Sequence, residues 1–156
     1  MIRLIAAIDS KNGLAKDGEI PWRIPIDIAH FRELTLTQGG KVLVGRTTYE
    51  MLGKYFNKHE TYVVSHQDLD LEEGRTPVKD IDTFLKELKE DIWVIGGARV
   101  FESSIKYADE LYLTIVEGDY GCDQFFPEYK DFKVKETEGP LEDNGYKLTY
   151  QVLTRF

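Results

Sequence analysis

Apolar residues in this chain come in short runs that alternate with stretches of helical spacing. The runs cover residues 2–8, 41–44, 61–65 and 92–95. Short runs without a polar face are typical of strands that are covered on both sides in a parallel sheet. Residues 110–117 alternate less cleanly, but they place Leu111, Leu113 and Ile115 on one side and predict a further strand.

Between these runs, apolar residues recur every three or four positions, as in amphipathic helices. Three sets have this spacing: Ile24, Ile28, Phe31 and Thr35; Phe84, Leu85 and Leu88; Val100, Ser104 and Tyr107. Pro25 suits the opening turn of the first helix, where its missing N–H is not needed. A fourth helix is predicted after Gly45, with Thr47 or Thr48 as its cap.

The end of the sequence predicts an antiparallel hairpin. Residues 132–137 and 146–153 have strand character, and the turn residues Gly139, Pro140, Asn144 and Gly145 separate them. The complete order predicts an α/β fold: a mixed, mostly parallel central sheet with flanking helices and the hairpin at its end. A length of 156 residues predicts one domain over residues 1–156. Such sheets bind ligands beyond the carboxyl ends of their strands.

Composition narrows the class of protein. Hydrophobic residues make up 42% and charged residues 31% of the chain, which is typical of a globular protein. The net charge of −8 argues against a protein that coats nucleic acid, although a local basic rim can still bind a small anion. The apolar run 4–8 is too short for the core of a signal peptide, and no segment approaches the ~20 apolar residues of a membrane span. We therefore expect a cytoplasmic protein that binds neither nucleic acid nor membrane.

Cysteine and histidine usage argues against a metal centre. Cys122 is the only cysteine, so neither an internal disulfide nor a multi-thiolate site can form. The three histidines, His30, His59 and His66, lack the spacing of metal ligands. A cluster of acidic residues predicts a solvated loop. Its members are Asp68, Asp70, Glu72 and Glu73.

Asp27 is the first candidate for chemistry. On a helix it shares a stripe with Ile24, Phe31 and Leu34. A carboxylate on an apolar stripe has a pKa raised by desolvation, as suits an acid that works near neutral pH. The alternative is an acid in the first turn of a surface helix, where it stabilises the helix dipole. Trp22 lies close in sequence, and its indole N–H favours the first interpretation.

Three predicted strands end in residues that suit phosphate groups. One runs into Gly96-Gly97-Ala98-Arg99, one into Gly45-Arg46-Thr47-Thr48, and one into Ser65-His66. Glycines let backbone N–H groups approach an anion, and an arginine pairs with phosphate. Each end is also compatible with an ordinary tight turn, and none matches a standard nucleotide motif. Together they indicate an extended, multiply phosphorylated ligand such as a dinucleotide.

Several motifs, in this order, identify a family. They are LIAAI (4–8), KDGEIPW (16–22), IDIAHFRELTL (26–36), VGRTTYE (44–50), VIGGARVFE (94–102), LYLT (111–114), FFPEY (125–129) and the terminal hairpin. Along nearly its whole length the chain resembles dihydrofolate reductase, and each motif lies on the element that the pattern predicts there.

The resemblance implies NADPH-dependent reduction of dihydrofolate to tetrahydrofolate. Asp27 would contact the pterin ring and help to deliver a proton to N5, Trp22 would hold a water, and Thr114 would support Asp27 from a neighbouring strand. Residues implied to bind the substrate are Ile5, Ala7, Ile28, Phe31, Arg32, Leu52, Lys54, Phe56, His59 and Ile95. Residues implied to bind the cofactor are Ala7, Gly13, Leu14, Ala15, Gly18, Glu19, Ile20, Gly45, Arg46, Thr47, Thr48, Ser65, His66, Lys79, Ile95, Gly96, Gly97, Ala98, Arg99, Val100 and Phe101.

The chain departs from the family's pattern before its third main strand. The family usually has an arginine there that pairs with the α-carboxylate of the substrate, and this chain has His59. Histidine is a weaker, titrating donor. Arg32 and Lys54 could compensate from the rim of the cleft, or Lys58 could take the role. Two further departures, Ala15 and the stretch 121–124, affect loops implied to control closure over the cofactor.

Three functions remain open at this point. The first is a monomeric dihydrofolate reductase. The second is a reductase of the same fold that acts on a pterin or pyrimidine without the glutamate tail, which His59 favours. The third is a nucleotide-binding module without catalysis, which the presence of Asp27 together with all three phosphate-facing turns disfavours.

Overall fold

A computed structural model gives the arrangement of residues 1–67, 71 and 73–156. Three members of the predicted acidic loop, Asp68, Asp70 and Glu72, lie outside the described residues, whereas Glu73 is exposed as expected. No helix in the described ranges is long and apolar enough to cross a membrane.

The described residues form ten strands and four α-helices. In chain order they are β1 (Ile2–Asp9), β2 (Gly13–Ala15), α1 (Pro25–Thr35), β3 (Lys41–Gly45), α2 (Arg46–Leu52), β4 (Glu60–Val64), β5 (Arg75–Val78), α3 (Ile81–Glu87), β6 (Ile92–Val94), α4 (Ala98–Ser104), β7 (Glu110–Val116), β8 (Gln124–Phe125), β9 (Phe132–Asp143) and β10 (Tyr146–Arg155). Short 3₁₀ turns over Gly53–Tyr55 and Ile105–Tyr107 follow α2 and α4.

Eight strands form one mixed sheet in the order β5-β4-β3-β6-β1-β7-β10-β9. The first six run parallel, and β10 pairs antiparallel with both β7 and β9. The predicted α/β class, with a mostly parallel sheet and a terminal hairpin, is confirmed. Because β4, β3 and β6 are parallel neighbours, their carboxyl ends meet at one edge of the sheet.

The sheet buries apolar residues on both faces, as the continuous runs predict. Alternate residues of β1 point to opposite sides, so Leu4 and Ile8 join a cluster with α3 and α4, and Ile5 joins a cluster with α1 and α2. Leu4 and Ile8 are at most 1% exposed, and Ile5 is 5% exposed. This packing sets the distance from the sheet of α1 and α2 on one face and of α3 and α4 on the other.

Two predictions about element ends are wrong. Neither Thr47 nor Thr48 caps α2, because Gly45 occupies the cap position and the helix already begins at Arg46. Strand β9 does not stop before Gly139 but continues to Asp143, since the ladder to β10 absorbs the irregularity as a shift of register. The tight turn is Asn144-Gly145, where both residues have positive φ.

The pattern also misses β2, β5 and β8. These strands have two to four residues, and β5 contains Pro77. Such short segments carry no readable alternation of apolar and polar residues.

Candidate active site

Asp27 lies in the first turn of α1 and faces the sheet. Ile24 is the extended residue before the helix, and Pro25 occupies the first helical position, as predicted. The hydroxyl of Thr114, on β7, donates a 2.7 Å hydrogen bond to Asp27 Oδ1. The helix and the central sheet therefore meet at this carboxylate.

Burial raises the pKa of Asp27, while the Thr114 hydrogen bond and the charge of His30 lower it by less. Asp27 thus lies in the first helical turn, as the alternative also places it, but it is half-buried and bonded to Thr114 instead of facing only solvent. Asp27 is a desolvated carboxyl group that keeps its proton to higher pH than an ordinary aspartate does.

Trp22 belongs to an apolar cluster with Ile24, Val116 and Leu148. It is 7% exposed, and its ring meets Tyr120 edge to face at 5.4 Å between centroids. Ala7, at the carboxyl half of β1, packs against the same cluster. Ala7 is the register partner of Thr114, which bonds to Asp27, whereas the role of Trp22 beside the carboxylate stays a prediction.

The structure brings five of the ten predicted substrate-binding residues together in one cluster. Ile5, Phe31, Leu52, Phe56 and Ile95 share one apolar cluster. The rings of Phe31 and Phe56 meet edge to face at 5.8 Å, and Phe56 is fully buried. Phe56 therefore packs against the Phe31 ring from the interior of the protein. Phe31, Leu52 and Ile28 are half-buried.

Two cations lie at the rim of this cleft. The Arg32 guanidinium is 5.9 Å and the Lys54 ammonium 5.2 Å from the centre of the Tyr55 ring. Both side chains are exposed, and neither forms an ion pair within the described ranges. They are available to a carboxylate that enters from solvent.

His59 is 6% exposed. Its Nε2 lies 2.8 Å from the Thr35 hydroxyl, and Nδ1 is buried without a partner among the described residues. Burial lowers the pKa of His59, and the charges of Arg75 and Arg32 lower it further. The imidazole is therefore neutral at pH 7, unlike an arginine.

The three predicted phosphate-facing strand ends lie side by side. The Gly45 N–H donates to the Gly96 carbonyl at 2.7 Å, which joins the ends of β3 and β6. The Ser65 N–H donates to the Val78 carbonyl at 3.0 Å, which places Lys79 beside the end of β4. Arg46, Thr47, His66 and Arg99 are exposed near these ends, and Thr48 and Ala98 are half-buried.

Glycines allow close approaches at this edge. A Cβ on Gly97 would lie 3.0 Å from Thr48 Oγ1, and one on Gly45 would lie 3.1 Å from Val100 Cγ2. Gly96 has φ +112°, and its peptide bond to Gly97 is cis. The backbone of these glycines is therefore open to a ligand that side chains would exclude.

Some predicted cofactor residues already have protein partners. Arg46 pairs with Glu50 at 3.1 Å and donates to the Gln67 side chain at 2.6 Å. Val100 and Phe101 are core residues, 7% and 2% exposed, so only their backbone can face a ligand.

The other predicted cofactor residues form an arm after β1. Gly13, Leu14 and Ala15 make up β2, which pairs with β8, and Gly18, Glu19 and Ile20 follow as an exposed turn. The Asp123 N–H donates to the Ala15 carbonyl at 2.9 Å. The stretch that departs from the family's pattern therefore contacts this arm directly.

Sequence reasoning missed the anchor of the arm, Asp9, which is 1% exposed. Its carboxylate accepts hydrogen bonds from the backbone N–H groups of Lys11 and Gly13 at 2.8 Å and of Tyr120 at 3.1 Å. Burial alone would raise the pKa of Asp9, but these donors together hold it below its usual value. The available signal was a carboxylate at the end of an otherwise apolar run.

Taken together, an apolar cleft with one buried carboxyl group adjoins a glycine-lined sheet edge. This arrangement suits a reductase that uses a dinucleotide, since an apolar cluster beside a carboxyl group can take a flat ring and the strand ends of an α/β sheet can take phosphates. The family model described as dihydrofolate reductase matches residues 1–155. The chain belongs to the dihydrofolate reductase family.

Individual relatives agree with this assignment. Dihydrofolate reductase type 3 of Salmonella typhimurium is 34% identical over 161 residues, which cover 99% of this chain and 98% of the relative. Dihydrofolate reductase of Bacillus subtilis is 30% identical over 98% of this chain and 92% of its own length. Among solved structures, dihydrofolate reductase from Enterococcus faecalis, complexed with NADP(H) and RAB-propyl, superposes with a TM-score of 0.86 at 26% identity. That match covers 99% of this chain and 96% of the other.

Proposed function

We propose that this chain, as one domain over residues 1–156, reduces dihydrofolate to tetrahydrofolate with NADPH. One observation carries the proposal: Asp27 is desolvated beneath an apolar cleft and held by Thr114 at 2.7 Å. A single buried acid beside a flat apolar cleft suits a heteroaromatic ring that must be protonated as it is reduced.

The sheet edge fits the cofactor's phosphates. Close contacts at Gly45 and Gly97 disfavour a Cβ there, so the strand ends lie close together, with the Gly45 N–H bonded to the Gly96 carbonyl. Arg46 and Arg99 supply positive charge, and Ser65 supplies a hydroxyl. When bound, NADPH supplies the hydride; the protein orients it and excludes water.

Asp27 supplies the proton in this proposal. Because burial raises its pKa, Asp27 is protonated over a wider pH range than a solvated aspartate. Thr114 fixes the carboxyl group and leaves Oδ2 for the substrate ring. Trp22, next to this space, orients the water that connects the carboxyl group to solvent.

For the carboxylate of the substrate's tail, we propose Arg32 and Lys54 as the principal partners. They are exposed and flank Tyr55, whereas His59 is buried and neutral. His59 is a poor partner for this carboxylate: the Thr35 hydroxyl donates to the Phe31 carbonyl and so accepts from Nε2–H, which leaves Nδ1 of the neutral ring as a buried acceptor. Lys58, exposed next to His59, is the remaining candidate.

The second candidate function is a reductase for a pterin or pyrimidine without the glutamate tail. The neutral, buried His59 favours it, because the tail then lacks a permanent bidentate partner. The presence of Asp27 at the base of the cleft argues for a pterin in either case.

NADPH consumption tests both candidates. The purified chain is given dihydrofolate or a tail-less dihydropterin, and nicotinamide absorbance is followed at several substrate concentrations. Saturable turnover with a lower KM for dihydrofolate supports the first candidate, and turnover with the tail-less compound alone supports the second. NADPH binding without reduction of either substrate would contradict both.

We also propose a location, an oligomeric state and a class of partner for this protein. We place the protein in the cytoplasm as a monomer that binds small molecules and no nucleic acid. The net charge of −8 supports the last point, because a phosphate backbone would be repelled.

A further inference from the structure

A tight turn over residues 56–59, which we call the 56–59 turn, leads from the 3₁₀ turn after α2 into β4. The His59 N–H donates to the Phe56 carbonyl at 3.2 Å and closes the turn. Its first and last residues are buried, and the two residues at its tip are exposed. Because the Phe56 ring packs on Phe31, the turn borders the substrate cleft.

Arg75, the first residue of β5, holds the 56–59 turn from the side of the sheet. Its Nη2 donates to the Phe56 carbonyl at 2.9 Å, and its Nη1 donates to the His59 carbonyl at 3.1 Å. The same half-buried guanidinium donates to the Thr61 hydroxyl on β4 at 3.2 Å and to the Tyr49 hydroxyl on α2 at 3.3 Å. Since the N–H groups of a guanidinium have a fixed planar arrangement, one side chain fixes both ends of the turn.

The ring of His59 holds the turn from the side of α1. The Thr35 hydroxyl donates to the Phe31 carbonyl at 2.8 Å and accepts from His59 Nε2 at 2.8 Å. The hydroxyl also lies 3.3 Å from the Arg32 carbonyl. A continuous path of hydrogen bonds therefore runs from Arg75 through the turn to the backbone of two α1 residues at the cleft.

We propose that Arg75 is a positioning residue for the carboxylate tail of the substrate. In the proposed function, on which this inference rests, Arg32 and Lys54 bind the tail. Lys54 comes two residues before the 56–59 turn, and Arg32 lies at the far end of the hydrogen-bond path. By fixing the turn, Arg75 keeps the two cations at the separation that a carboxylate needs, which lowers the ordering cost of binding.

This role differs from that of the arginine which the family usually has before the third main strand. That arginine pairs with the tail directly, and this chain has His59 in its place. Here an arginine on another strand supplies order instead of a direct contact.

Four variants separate positioning from general stability. Arg75→Gln removes the planar set of donors, and Arg75→Lys keeps an ammonium that cannot form all four bonds. Arg155→Gln is the matched control, because Arg155 also donates to backbone carbonyls, at 2.8 to 3.0 Å, but beside α4 on the face of the sheet opposite to the cleft. Tyr49→Phe removes only the acceptor on α2.

Steady-state kinetics with dihydrofolate and with a tail-less dihydropterin give the main readout. We expect Arg75→Gln to raise KM for dihydrofolate about tenfold, the value of one charge-assisted hydrogen bond, with kcat nearly unchanged. KM for the tail-less compound should stay as in wild type. Arg75→Lys should raise KM for dihydrofolate by less, about threefold. Arg155→Gln and Tyr49→Phe should leave the ratio of the two KM values unchanged.

Hydrogen exchange without ligand reports on the turn itself. The His59 N–H, which is bonded to the Phe56 carbonyl, should exchange faster in Arg75→Gln than in wild type. In Arg155→Gln it should exchange at the wild-type rate.

Equal rises in KM for both substrates would overturn the proposal, because Arg75 would then support the whole cleft and not the tail site. Wild-type KM values in Arg75→Gln would overturn it as well. Should that variant fail to fold, Arg75→Lys decides the question, and an unchanged ratio of KM values in it would have the same meaning.

The wild-type chain distinguishes failure of this proposal from failure of the proposed function. If wild type reduces neither compound, the proposed function is wrong, and binding titrations of the two compounds with the same variants decide the role of Arg75. If wild type reduces the tail-less compound alone, there is no tail to position and the role of Arg75 is overturned.

Discussion

Burial raises the pKa of the Asp27 carboxyl group, and this shift affects how the reaction rate depends on pH. The raised pKa keeps a proton on Asp27, so the rate of hydride transfer should fall as pH rises through that value. We expect Asp27→Asn to lower the rate about 10²–10⁴-fold at neutral pH, the range usual for general acid catalysis. Partial recovery is expected in acid, where the substrate is protonated from solution.

Single-turnover rates between pH 5 and pH 9 provide the measurement. Asp82→Asn is the matched control, since Asp82 lies in the first turn of α3 and bonds to Tyr107 away from the cleft. Its profile should follow wild type. If Asp27→Asn also retained the wild-type profile, Asp27 would have no part in the proton transfer.

The same substitution should stabilise the fold. A carboxyl group whose pKa is higher in the folded than in the unfolded state destabilises the fold increasingly above the unfolded value of ~3.9, and fully above the folded value. Asp27→Asn removes this cost, so its melting temperature should exceed that of wild type at pH 8. The difference should vanish near pH 3. An Asn variant that melts lower at pH 8 would contradict the raised pKa.

At His59 the prediction concerns substrate affinity. His59→Arg should tighten dihydrofolate binding about tenfold, the value of one charge-assisted hydrogen bond, and leave NADPH affinity nearly unchanged. Because Arg32 and Arg75 already lower the pKa of His59, a permanent charge there should also lower stability. Calorimetric titration with each ligand checks the first point. Absence of a gain would assign the tail to Arg32, Lys54 or Lys58.

Among elements, the arm formed by β2 depends on Asp9. Asp9→Ala would leave the buried Gly13 N–H without an acceptor, which costs about 1–3 kcal/mol, and would also remove the acceptor of the partly buried Lys11 and Tyr120 N–H groups. We expect a lower free energy of unfolding and weaker NADPH binding, since Gly13 and Ala15 lose their anchor. Denaturant unfolding and a fluorescence titration with NADPH measure these two effects.

The control for Asp9 is Ser10→Ala. Ser10 also joins the two loops, accepting a 2.9 Å hydrogen bond from the Gly118 N–H, but it is exposed, so water can replace it. Because the pKa of Asp9 is lowered in the fold, its stabilisation is present above the unfolded pKa and is lost as pH falls through the folded one. A deficit in Asp9→Ala that persisted undiminished at low pH would contradict this account.

The elements predicted from sequence are those whose pattern is local. Strand β1 and helix α1 carry their periodicity within a single segment, so the order of elements and the face of Asp27 could be predicted. The Asp27–Thr114 contact joins residues 87 positions apart and was available only through the family resemblance. The pairing of His59 with Thr35 and the donors to Asp9 depend on tertiary packing, which no local pattern records.

At the scale of the whole molecule, the two edge strands of the sheet affect whether copies of the chain associate with one another. Edge strand β9 exposes Lys133, Lys135 and Glu136, and the opposite edge strand β5 contains Pro77. Charged residues and proline prevent edge strands from pairing with other chains. We expect a monomer of 18.0 kDa in sedimentation equilibrium at all concentrations.

Replacing charged residues on β9 tests whether they keep the protein monomeric. Lys133→Val combined with Glu136→Val should increase the apparent mass at high concentration, while Thr76→Val on β5 should not, because Pro77 still interrupts that edge. A wild-type protein that forms dimers would contradict this explanation. So would a variant with both substitutions on β9 that stays monomeric.

Strand β10 lies between β7 and β9, although it follows every other strand in the chain. A ribosome synthesising this protein therefore releases Asp27, Thr114 and the whole glycine-lined edge before β10 exists. Until then β7 has one open side, and the nascent chain exposes apolar surface that β10 later covers. Catalytic competence should thus arise after translation has passed β10, which makes the interval before that moment the period of greatest need for a chaperone.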